Sequence, residues 1–521
     1  MTEHFLHRKG NAIACATILC LGAPSIHAAD QSQWGAAWSR NMVSTEKNLP
    51  EFFDPSTGSN ILWTAQLGTE THSTPVVAGG RVYIGTNNGH PRDPRHEGDR
   101  GVLMCFDEKN GRFLWQLVVP KREDDPYYDW PKSGMSSPAT VEGDRVYMVS
   151  NRGEVICLDP EGMTNGNDGP YRDEGTHMTL LTNRANALLK PGPMDADIIW
   201  LFDLTSGAGI WSHDAAHSSI LIHGDYLYLN SGTGVDNTHK KIRTPNAPSL
   251  VVLDKKTGQL VARDYENIAP NIFHSTWCAP SMGDMNGKPI IFFGGGNGVL
   301  FAFEPLQPGI RRKEGDPPAA LKKLWQFDFD PDAPKTEVHK FNGNRREGPS
   351  DFYGMPVFYC GRVFLAGGGD LWWGKSQAWL KCIEVSRMPL AVETKPRQAA
   401  SERLVWSYDL QKHVMGTCAV TLGTLFLADC GRMFHCLNPA TGKLNWTHEI
   451  EGECWASPLI ADGKVYLGTR SGAFYVFAAD AEKHLLQHLE FREPISATTT
   501  AANGALYIAT MSKLYCVKKN Q

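Results

Sequence analysis

The sequence predicts an all-β fold, namely a single eight-bladed β-propeller of four-stranded antiparallel blades that is closed by an N-terminal strand. One pattern of short apolar strands and glycine turns recurs along the chain, and each clear copy ends near a Trp. The last copy stops before its Trp-bearing strand, and a matching strand stands near the N-terminus. Because such sheets bury both faces only by stacking around an axis, we interpret the copies as blades of one ring.

The repeat is clearest between Pro75 and Trp115, where an apolar strand, a Gly-Gly turn, an aromatic strand and the motif around Asp107 follow one another. A second clear copy ends in Asn438 and Trp446, which have the same separation as Asp107 and Trp115. Alternating apolar residues between Gly-containing turns are typical of short antiparallel strands. Aligning all copies places the first strand of each blade at Pro75, Pro138, Ile220, Pro280, Pro356, Ala419, Pro458 and Thr499.

Ring closure is predicted from the two ends of the repeat region. The final copy runs through Leu514 and Tyr515 and ends without a fourth strand. The segment from Asn60 to Leu67 supplies a strand with Trp63 at the expected place. Pairing the two ends would leave the ring without an open sheet edge. Open edges in other β proteins allow unwanted pairing with strands of other chains.

The N-terminus has the order of a signal peptide, which we place at residues 1–28. Basic residues at Arg8 and Lys9 precede an apolar run over residues 12–21, and a small residue, Ala28, stands at the cleavage position. The apolar run is well short of the roughly 20 residues that a membrane helix needs. We therefore expect a periplasmic or secreted protein, soluble after signal-peptide removal and without a membrane span.

The rest of the chain divides into an N-terminal extension at residues 29–58 and the propeller at 59–521, with a polar insertion at 160–196 in blade two. The chain has 51 basic and 56 acidic residues, so its net charge is mildly negative. No run of basic residues stands out in the sequence. Nucleic-acid binding proteins have clustered basic residues on one surface, so nucleic acid is excluded as a partner.

The Asp-x-x-Thr-Gly-x-x-x-Trp spacing and the eight blades resemble the PQQ-type repeat (quinoprotein alcohol dehydrogenase-like) β-propeller family, over roughly residues 61–517. That family includes quinoprotein alcohol dehydrogenases and an outer-membrane-assembly scaffold. The resemblance implies that the repeat tryptophans wedge between neighbouring blades. They are Trp63, Trp115, Trp200, Trp325, Trp406 and Trp446.

The resemblance also implies a candidate cofactor, which is pyrroloquinoline quinone (PQQ) together with a divalent cation. Quinoprotein alcohol dehydrogenases carry two adjacent cysteines against the cofactor, whereas this sequence has no Cys-Cys dipeptide. The sequence also lacks Cys-x-x-Cys-His, so no c-type haem is expected. No cofactor is therefore assigned from the sequence.

Five cysteines occupy one repeat position, in the third strand of their blades, where they are expected to be buried free thiols. They are Cys105, Cys157, Cys382, Cys436 and Cys516. Equivalent points on different blades should lie farther apart than the about 7 Å between Cα atoms that a disulfide allows. Cys418 and Cys454 stand beside first strands of neighbouring blades, so a bridge between these two remains open.

Residues that enter the first strands should rim the central channel, and they include many aromatic and histidine side chains. A planar or sugar-like ligand would suit such a rim, although the same side chains could simply fill the axis. The candidate ligand-binding residues are His72, His217, Trp277, Tyr353, His413 and Trp455. No metal ligands are assigned, although a rim histidine or carboxylate could hold a cation. The adjacent Trp372 and Trp373 are expected to pack inside blade five rather than to form a contact surface.

No catalytic residue is assigned, and Asp214, His274 and Asp351 are the weak candidates because His and carboxylates can be tuned toward neutral pH. Three functions remain open. The first is a ligand-binding or scaffold protein that uses the rim, with a small-molecule or carbohydrate ligand or an envelope protein partner. The second is a PQQ-dependent oxidoreductase acting on an alcohol or sugar. The third is a polysaccharide-acting hydrolase or lyase.

Overall fold

The computed structural model describes residues 29–125, 127–183, 187–214, 219–313, 315–386 and 402–519, so the predicted signal peptide lies outside the described residues. The strands form eight sheets, each built on four antiparallel strands. Within each repeat of the sequence, successive strands pair with one another in the same sheet, so each repeat corresponds to one blade. The all-β eight-bladed propeller predicted from the sequence is confirmed.

The first half of the ring contains blades one to four. The chain enters with β1 (Ile61–Gln66) and continues into blade one, with β2 (Val76–Ala78), β3 (Arg81–Asn87), β4 (Arg100–Asp107) and β5 (Phe113–Pro120). Blade two has β6 (Thr140–Glu142), β7 (Arg145–Val149), β8 (Glu154–Leu158) and β9 (Ile198–Asp203). Blade three has β10 (Leu221–His223), β11 (Tyr226–Asn230), β12 (Leu250–Asp254) and β13 (Leu260–Arg263). Blade four has β14 (Ser281–Met285), β15 (Lys288–Gly294), β16 (Val299–Phe303) and, after the short β17 (Ala319–Ala320), β18 (Lys323–Asp328).

The second half of the ring repeats this order. Blade five has β19 (Val357–Tyr359), β20 (Arg362–Gly368), β21 (Ala378–Glu384) and β22 (Leu404–Leu410). Blade six has β23 (Ala419–Val420), β24 (Leu425–Ala428), β25 (Met433–Leu437) and β26 (Leu444–Glu449). Blade seven has β27 (Leu459–Ala461), β28 (Lys464–Gly468), β29 (Ala473–Ala478) and β30 (Leu485–Glu490). Blade eight has β31 (Thr500–Ala502), β32 (Ala505–Ala509) and β33 (Lys513–Val517), and β1 completes it.

Among the residues that the structure describes, helical segments are few and short. Two α-helices, α1 (Glu174–Met178) and α2 (Leu204–Ala208), lie in the blade-two insertion and directly after strand β9, respectively. Single 3-10 turns occur at Gly162–Thr164, Leu181–Asn183, Ala269–Asn271 and Val338–Phe341. In the described part of the chain, no helix has the length and hydropathy needed to cross a bilayer.

The first strand closes the ring as predicted. Trp63 pairs with Cys516, Thr64 with Tyr515 and Ala65 with Leu514 in an antiparallel ladder between β1 and β33. Blade eight therefore has four strands, one from the start of the repeat region and three from its end.

Blade three differs from the four-stranded prediction. The short strand β17 pairs in parallel with β13 and gives this blade a fifth strand. The long connection between β16 and β18 passes along the outer edge of blade three, where Tyr226 and Tyr228 bind its backbone through their hydroxyl groups. That contact brings the connection close enough to β13 to pair.

The hydrophobic core consists of clusters shared between neighbouring blades, and one such cluster joins each adjacent pair around the ring. The six repeat tryptophans are all buried within them. Gly111 occupies the glycine position of the repeat motif, in a copy that has Asn110 in place of Thr, and it shows why the motif needs glycine. Its φ is +70°, and a Cβ there would lie 2.6 Å from the Trp63 ring of the preceding blade. The motif is thus the surface against which the wedging Trp packs.

The five equivalent cysteines are buried free thiols in third strands, as predicted. Each one faces the wedging Trp of its own blade across the outer strand pair. The pairs are Cys105 with Trp115, Cys157 with Trp200, Cys382 with Trp406, Cys436 with Trp446 and Cys516 with Trp63. A small side chain is required opposite so large a ring. Cys418 and Cys454 are also free in the structure, so the bridge left open from the sequence is not formed.

The N-terminal extension closes one end of the central channel, which the sequence did not predict. Residues 31–44 run across the inner strands of the blades and hydrogen-bond to their backbones. Val77 donates to Gln31, Val141 to Ser32, Met282 to Trp38, Phe358 to Ser39 and Ile460 to Met42. We call residues 31–44 the plug.

Arg40 fixes the plug at its centre. The guanidinium is completely buried and donates to the backbone oxygens of Trp34, Ser219 and Pro280, each at 3.1 Å. The plug therefore connects blades on several sides of the ring.

Candidate functional site

The open end of the channel forms a cavity of about 540 Å³, which we call the funnel. Its walls come from the segments that lead into the inner strands and from three other places, which are the β11–β12 loop, the turn after β20 and the turn after β28. Trp34 of the plug forms its floor and donates from Nε1 to the Thr498 hydroxyl at 3.1 Å. A cavity of this volume falls within the range of about 300–1,000 Å³ that is typical of small-molecule sites.

One wall of the funnel is a continuous series of aromatic rings. The ring centroid of Trp277 lies 4.8 Å from that of Tyr353 and 6.1 Å from that of Trp372. Trp372 in turn meets Trp455 edge to face at 6.3 Å. The guanidinium of Arg470 lies 3.9 Å from the centre of the Trp455 ring, a cation–π contact that places a positive charge at this wall.

The prediction that Trp372 and Trp373 pack inside blade five is wrong. Their exposed fractions are 44% and 42%, and both line the funnel. The cause is a turn after β20, in which the carboxylate of Asp370 accepts hydrogen bonds from the backbone N–H groups of Trp372 and Trp373. Because this turn ends the strand, the two indoles face the mouth instead of opposite sides of a sheet.

Four of the six candidate ligand-binding residues line the funnel, namely His72, Trp277, Tyr353 and Trp455. His413 is not among the lining residues. It is buried, and one ring nitrogen contacts the backbone oxygen of Lys375 at 3.0 Å. His217 lies outside the described residues.

Two of the three weak catalytic candidates also line the funnel. Asp214 and His274 face each other, with 3.7 Å between Asp214 Oδ2 and His274 Nε2. Asp351 is fully buried in the wall instead, where its carboxylate accepts from the N–H of Phe352. Burial raises the pKa of Asp351 well above its ordinary value.

Beside Asp214, three histidines meet in the wall. His213 precedes the inner strand of blade three, His239 lies in the loop between β11 and β12, and His274 precedes the inner strand of blade four. Their ligand atoms all lie within 4.8 Å of one another, and Nε2 of His213 is 3.2 Å from Nε2 of His239. Of these three histidines, only His274 was predicted from the sequence as a candidate site residue.

Asp370 orients this cluster from behind. Its Oδ2 lies 2.8 Å from Nδ1 of His274 and accepts the hydroxyl of Tyr353 at 2.7 Å. Burial alone would raise the pKa of Asp370, but the hydrogen bond and charge of His274 outweigh burial and lower it. An ionised carboxylate therefore fixes the ring orientation of His274.

Burial also controls the other groups of the cluster. It lowers the pKa of His213 to about 2, with the neighbouring histidines acting in the same direction. It raises the pKa of Asp214 to about 6, against the opposing charge of His274. At neutral pH, His213 is therefore an uncharged imidazole.

Several polar atoms of the funnel wall are buried and have no hydrogen-bond partner within the protein. They are Nδ1 of His72, Oδ1 of Asp214, Nε2 of His274 and Nε1 of Trp455. Buried polar groups are normally hydrogen-bonded, so atoms of this kind in a cavity wall mark positions at which a ligand can bind.

Comparison with known proteins identifies the family. The sequence profile of the PQQ-repeat family described as outer membrane protein assembly factor BamB matches residues 30–162, 99–303 and 397–517, together about three quarters of the chain. No curated protein sequence matches at a significant level.

Similar solved structures include BamB from Moraxella catarrhalis, which is 10% identical with a TM-score of 0.50, over 87% of this chain and 96% of that one. Quinohemoprotein alcohol dehydrogenase from Comamonas testosteroni is 14% identical over 94% and 81% of the two chains, with a TM-score of 0.44. A europium-containing methanol dehydrogenase is 10% identical over 94% and 98%, with a TM-score of 0.47. From the profile match, the chain belongs to the PQQ-repeat propeller family described as outer membrane protein assembly factor BamB.

Proposed function

We propose that the protein is an exported binding protein that holds a carbohydrate in the funnel. The observation that carries this proposal is the aromatic wall of Trp277, Tyr353, Trp372 and Trp455 in a cavity closed by the plug. A propeller that served only as a scaffold would not require a cavity lined with partly exposed indoles such as those of Trp372 and Trp373. Exposed apolar surface of this kind in a protein usually serves an interaction.

The chemistry of the wall suits a sugar. Indole faces stack against the apolar face of a sugar ring, each contact contributing on the order of 1 kcal/mol. Sugar hydroxyls both donate and accept, so they can satisfy the Asp214 carboxylate oxygen as well as the Trp455 N–H, neither of which has a protein partner. Trp34 of the plug lines the inner end of the cavity, so we propose a short saccharide or a chain end as the ligand.

The test is a calorimetric titration of the purified protein with a panel of oligosaccharides, followed by analysis of the mixture for cleaved products. At least one saccharide should bind, and Trp277→Ala and Trp455→Ala should each weaken its binding at least about tenfold, the equivalent of about 1.4 kcal/mol. Tyr265→Ala is the control, because Tyr265 is an exposed aromatic residue outside the funnel. Failure of every saccharide to bind would contradict the proposal. Cleaved products would identify the hydrolase or lyase function, with Asp214 and His274 as the first residues to test.

A PQQ-dependent oxidoreductase is less well supported by the residues of the funnel. Aromatic faces suit a planar quinone, but PQQ also carries three carboxylates and would be accompanied by a hard cation with oxygen ligands. Among the described residues of the lining, Arg470 alone has a permanent positive charge, and it already contacts Trp455 and the Ser496 hydroxyl. These residues do not fit a bound tricarboxylate, so we derive no step through PQQ.

Export to the periplasm or medium is the second part of the proposal. It is supported by the basic and apolar order of residues 1–28 and by a family described as an outer membrane protein assembly factor. The same description also supports an envelope protein as a partner. The intact mass of protein recovered from an envelope fraction tests export, because a mass that retains Met1 to Leu21 would contradict it.

A further inference from the structure

We propose that His213, His239 and His274 form a binding site for one divalent transition-metal ion of the zinc class, in the wall of the funnel. The site goes beyond the proposed carbohydrate binding and does not depend on it, because it is defined by these side chains alone. Three imidazoles are a ligand set that zinc takes in catalytic sites, where a fourth position stays open to water or substrate.

The nitrogen positions fit such an ion. Two imidazole nitrogens bound to one tetrahedral zinc at about 2.0–2.1 Å lie about 3.3–3.4 Å apart. The two Nε2 atoms of His213 and His239 are separated by 3.2 Å, which is close to that edge. The third nitrogen, from His274, lies within 4.8 Å of both, so a small shift completes the set. His239 is the half-buried loop residue of the three and is the one best placed to move.

Each histidine has a second hydrogen bond that can fix its tautomer. His274 directs Nδ1 to the Asp370 carboxylate at 2.8 Å, which leaves Nε2 buried and without a protein partner. The ring of His213 is hydrogen-bonded to the backbone of Val235, and that of His239 to the backbone of Asn237. Metal-binding histidines characteristically use their other ring nitrogen in this way.

The packing around the cluster holds it in place. Gly234 lies between two of the ligands, and a Cβ at this position would come within 2.7 Å of both the His213 Cβ and the His274 backbone oxygen. His213 and His274 can therefore approach each other only because position 234 is glycine. His213 and His274 are almost completely buried, at 2% and 3% exposure, so their rings are already ordered by the fold.

The coordination positions that the three histidines leave free face Asp214 and the funnel. Asp214 Oδ2 lies 3.6 Å from Nε2 of His213 and 3.7 Å from Nε2 of His274, and its Oδ1 is buried without a protein partner. The carboxylate can bind the ion directly or hold a water molecule bound to it. The same side faces the funnel, so an oxygen of a funnel ligand would reach the remaining coordination position.

The experiment uses the full purified protein, stripped with a chelator and titrated with Zn²⁺ by calorimetry and with Co²⁺ by visible absorption. We expect one ion per chain and the intense visible bands of four-coordinate Co²⁺. His213→Ala and His274→Ala should weaken Zn²⁺ binding at least about 100-fold. Asp370→Asn should weaken it about 10–100-fold, as is typical of residues that orient metal ligands.

The control is His435→Ala. His435 is as buried as His213 and His274 and also contacts a carboxylate, with 3.1 Å to Asp429, but it is not part of a three-histidine group among the described residues. This variant should bind Zn²⁺ within about twofold of the wild type. Should His213→Ala fail to fold by circular dichroism, His239→Ala carries the test at the half-buried ligand. The proposal is overturned if the folded wild type takes up no stoichiometric Zn²⁺ or Co²⁺, or if folded histidine variants retain wild-type affinity. No saccharide is present in this assay, so its outcome is separate from that of the binding test.

Discussion

Trp63 donates a hydrogen bond from its indole N–H to the backbone oxygen of Glu108, at 2.9 Å, and so connects blade eight to blade one. The same contact occurs between other neighbouring blades, because Trp115 binds Pro160 and Trp406 binds Pro439 in the corresponding way. The contact that closes the ring is therefore chemically the same as the contacts that build it. The N-terminal strand β1 is a full member of the repeat.

The first prediction concerns this closure. Trp63→Ala should lower the free energy of unfolding by about 3–5 kcal/mol, because it removes a buried ring from the cluster shared by blades eight and one. Leu62→Ala, on the same strand but 51% exposed, should change it by less than about 0.5 kcal/mol. Urea unfolding of both variants provides the measurement. Equal midpoints would show that β1 is not required for ring stability.

The fold could be predicted to this level because its determinants are local and repeated. The glycine of the Asp-x-x-Thr-Gly motif and the Trp wedge recur with fixed spacing, so the alignment placed each inner strand within two residues of where it starts. The plug has no such signature. Residues 31–44 are specified by single contacts to the inner strands, including those of Arg40 and Asn41, and no period in the sequence indicates them.

The second prediction tests the plug. Arg40→Ala removes a buried cation that donates to three backbone oxygens and would leave those oxygens without partners. Hydrogen bonds from charged groups contribute about 1.5–3 kcal/mol each, so the variant should lose at least about 2 kcal/mol of stability. Limited proteolysis with mass spectrometry should then find new cleavage within residues 31–44. The exposed Arg112→Ala serves as the control, and a plug as resistant in Arg40→Ala as in this control would contradict the prediction.

The third prediction concerns the thiols. All ten cysteines in the described residues are free, and Cys360 alone among them is exposed. Burial raises the pKa of Cys157 and Cys382 to about 12, so these thiols are also protonated and unreactive in the native protein. Protein lacking residues 1–28 should therefore show one fast-reacting thiol when native and ten when denatured without reductant. Cys360→Ser should abolish the fast reaction. A disulfide mapped between any two third-strand cysteines would contradict the blade alignment.

The functional site was only partly accessible from the sequence. Residues at a fixed offset from the inner strands, such as Trp277 and Trp455, could be placed at the mouth because symmetry brings them together. His239 and Asp370 could not, since one lies in the loop between β11 and β12 and the other in the turn after β20. Their approach to His274 depends on the conformation of those two irregular segments at the mouth of the channel. The spacing of the repeats does not determine that conformation.

The last prediction separates the two roles of tryptophan in this fold. Trp115 is 1% exposed, packs between blades one and two and donates to the backbone oxygen of Pro160 at 2.8 Å. Trp277 contacts Tyr353 and His274 but keeps one side open to the funnel. Trp115→Ala should therefore lower the free energy of unfolding by about 3–5 kcal/mol, as expected for a buried aromatic residue. Trp277→Ala leaves its space continuous with solvent rather than as a closed cavity, so it should lose less than about 1.5 kcal/mol. Thermal and urea unfolding of the two variants decide the point. If Trp277→Ala is as destabilising as Trp115→Ala, its indole is a structural filler of the mouth, and the funnel wall exists for the stability of the ring rather than for a ligand.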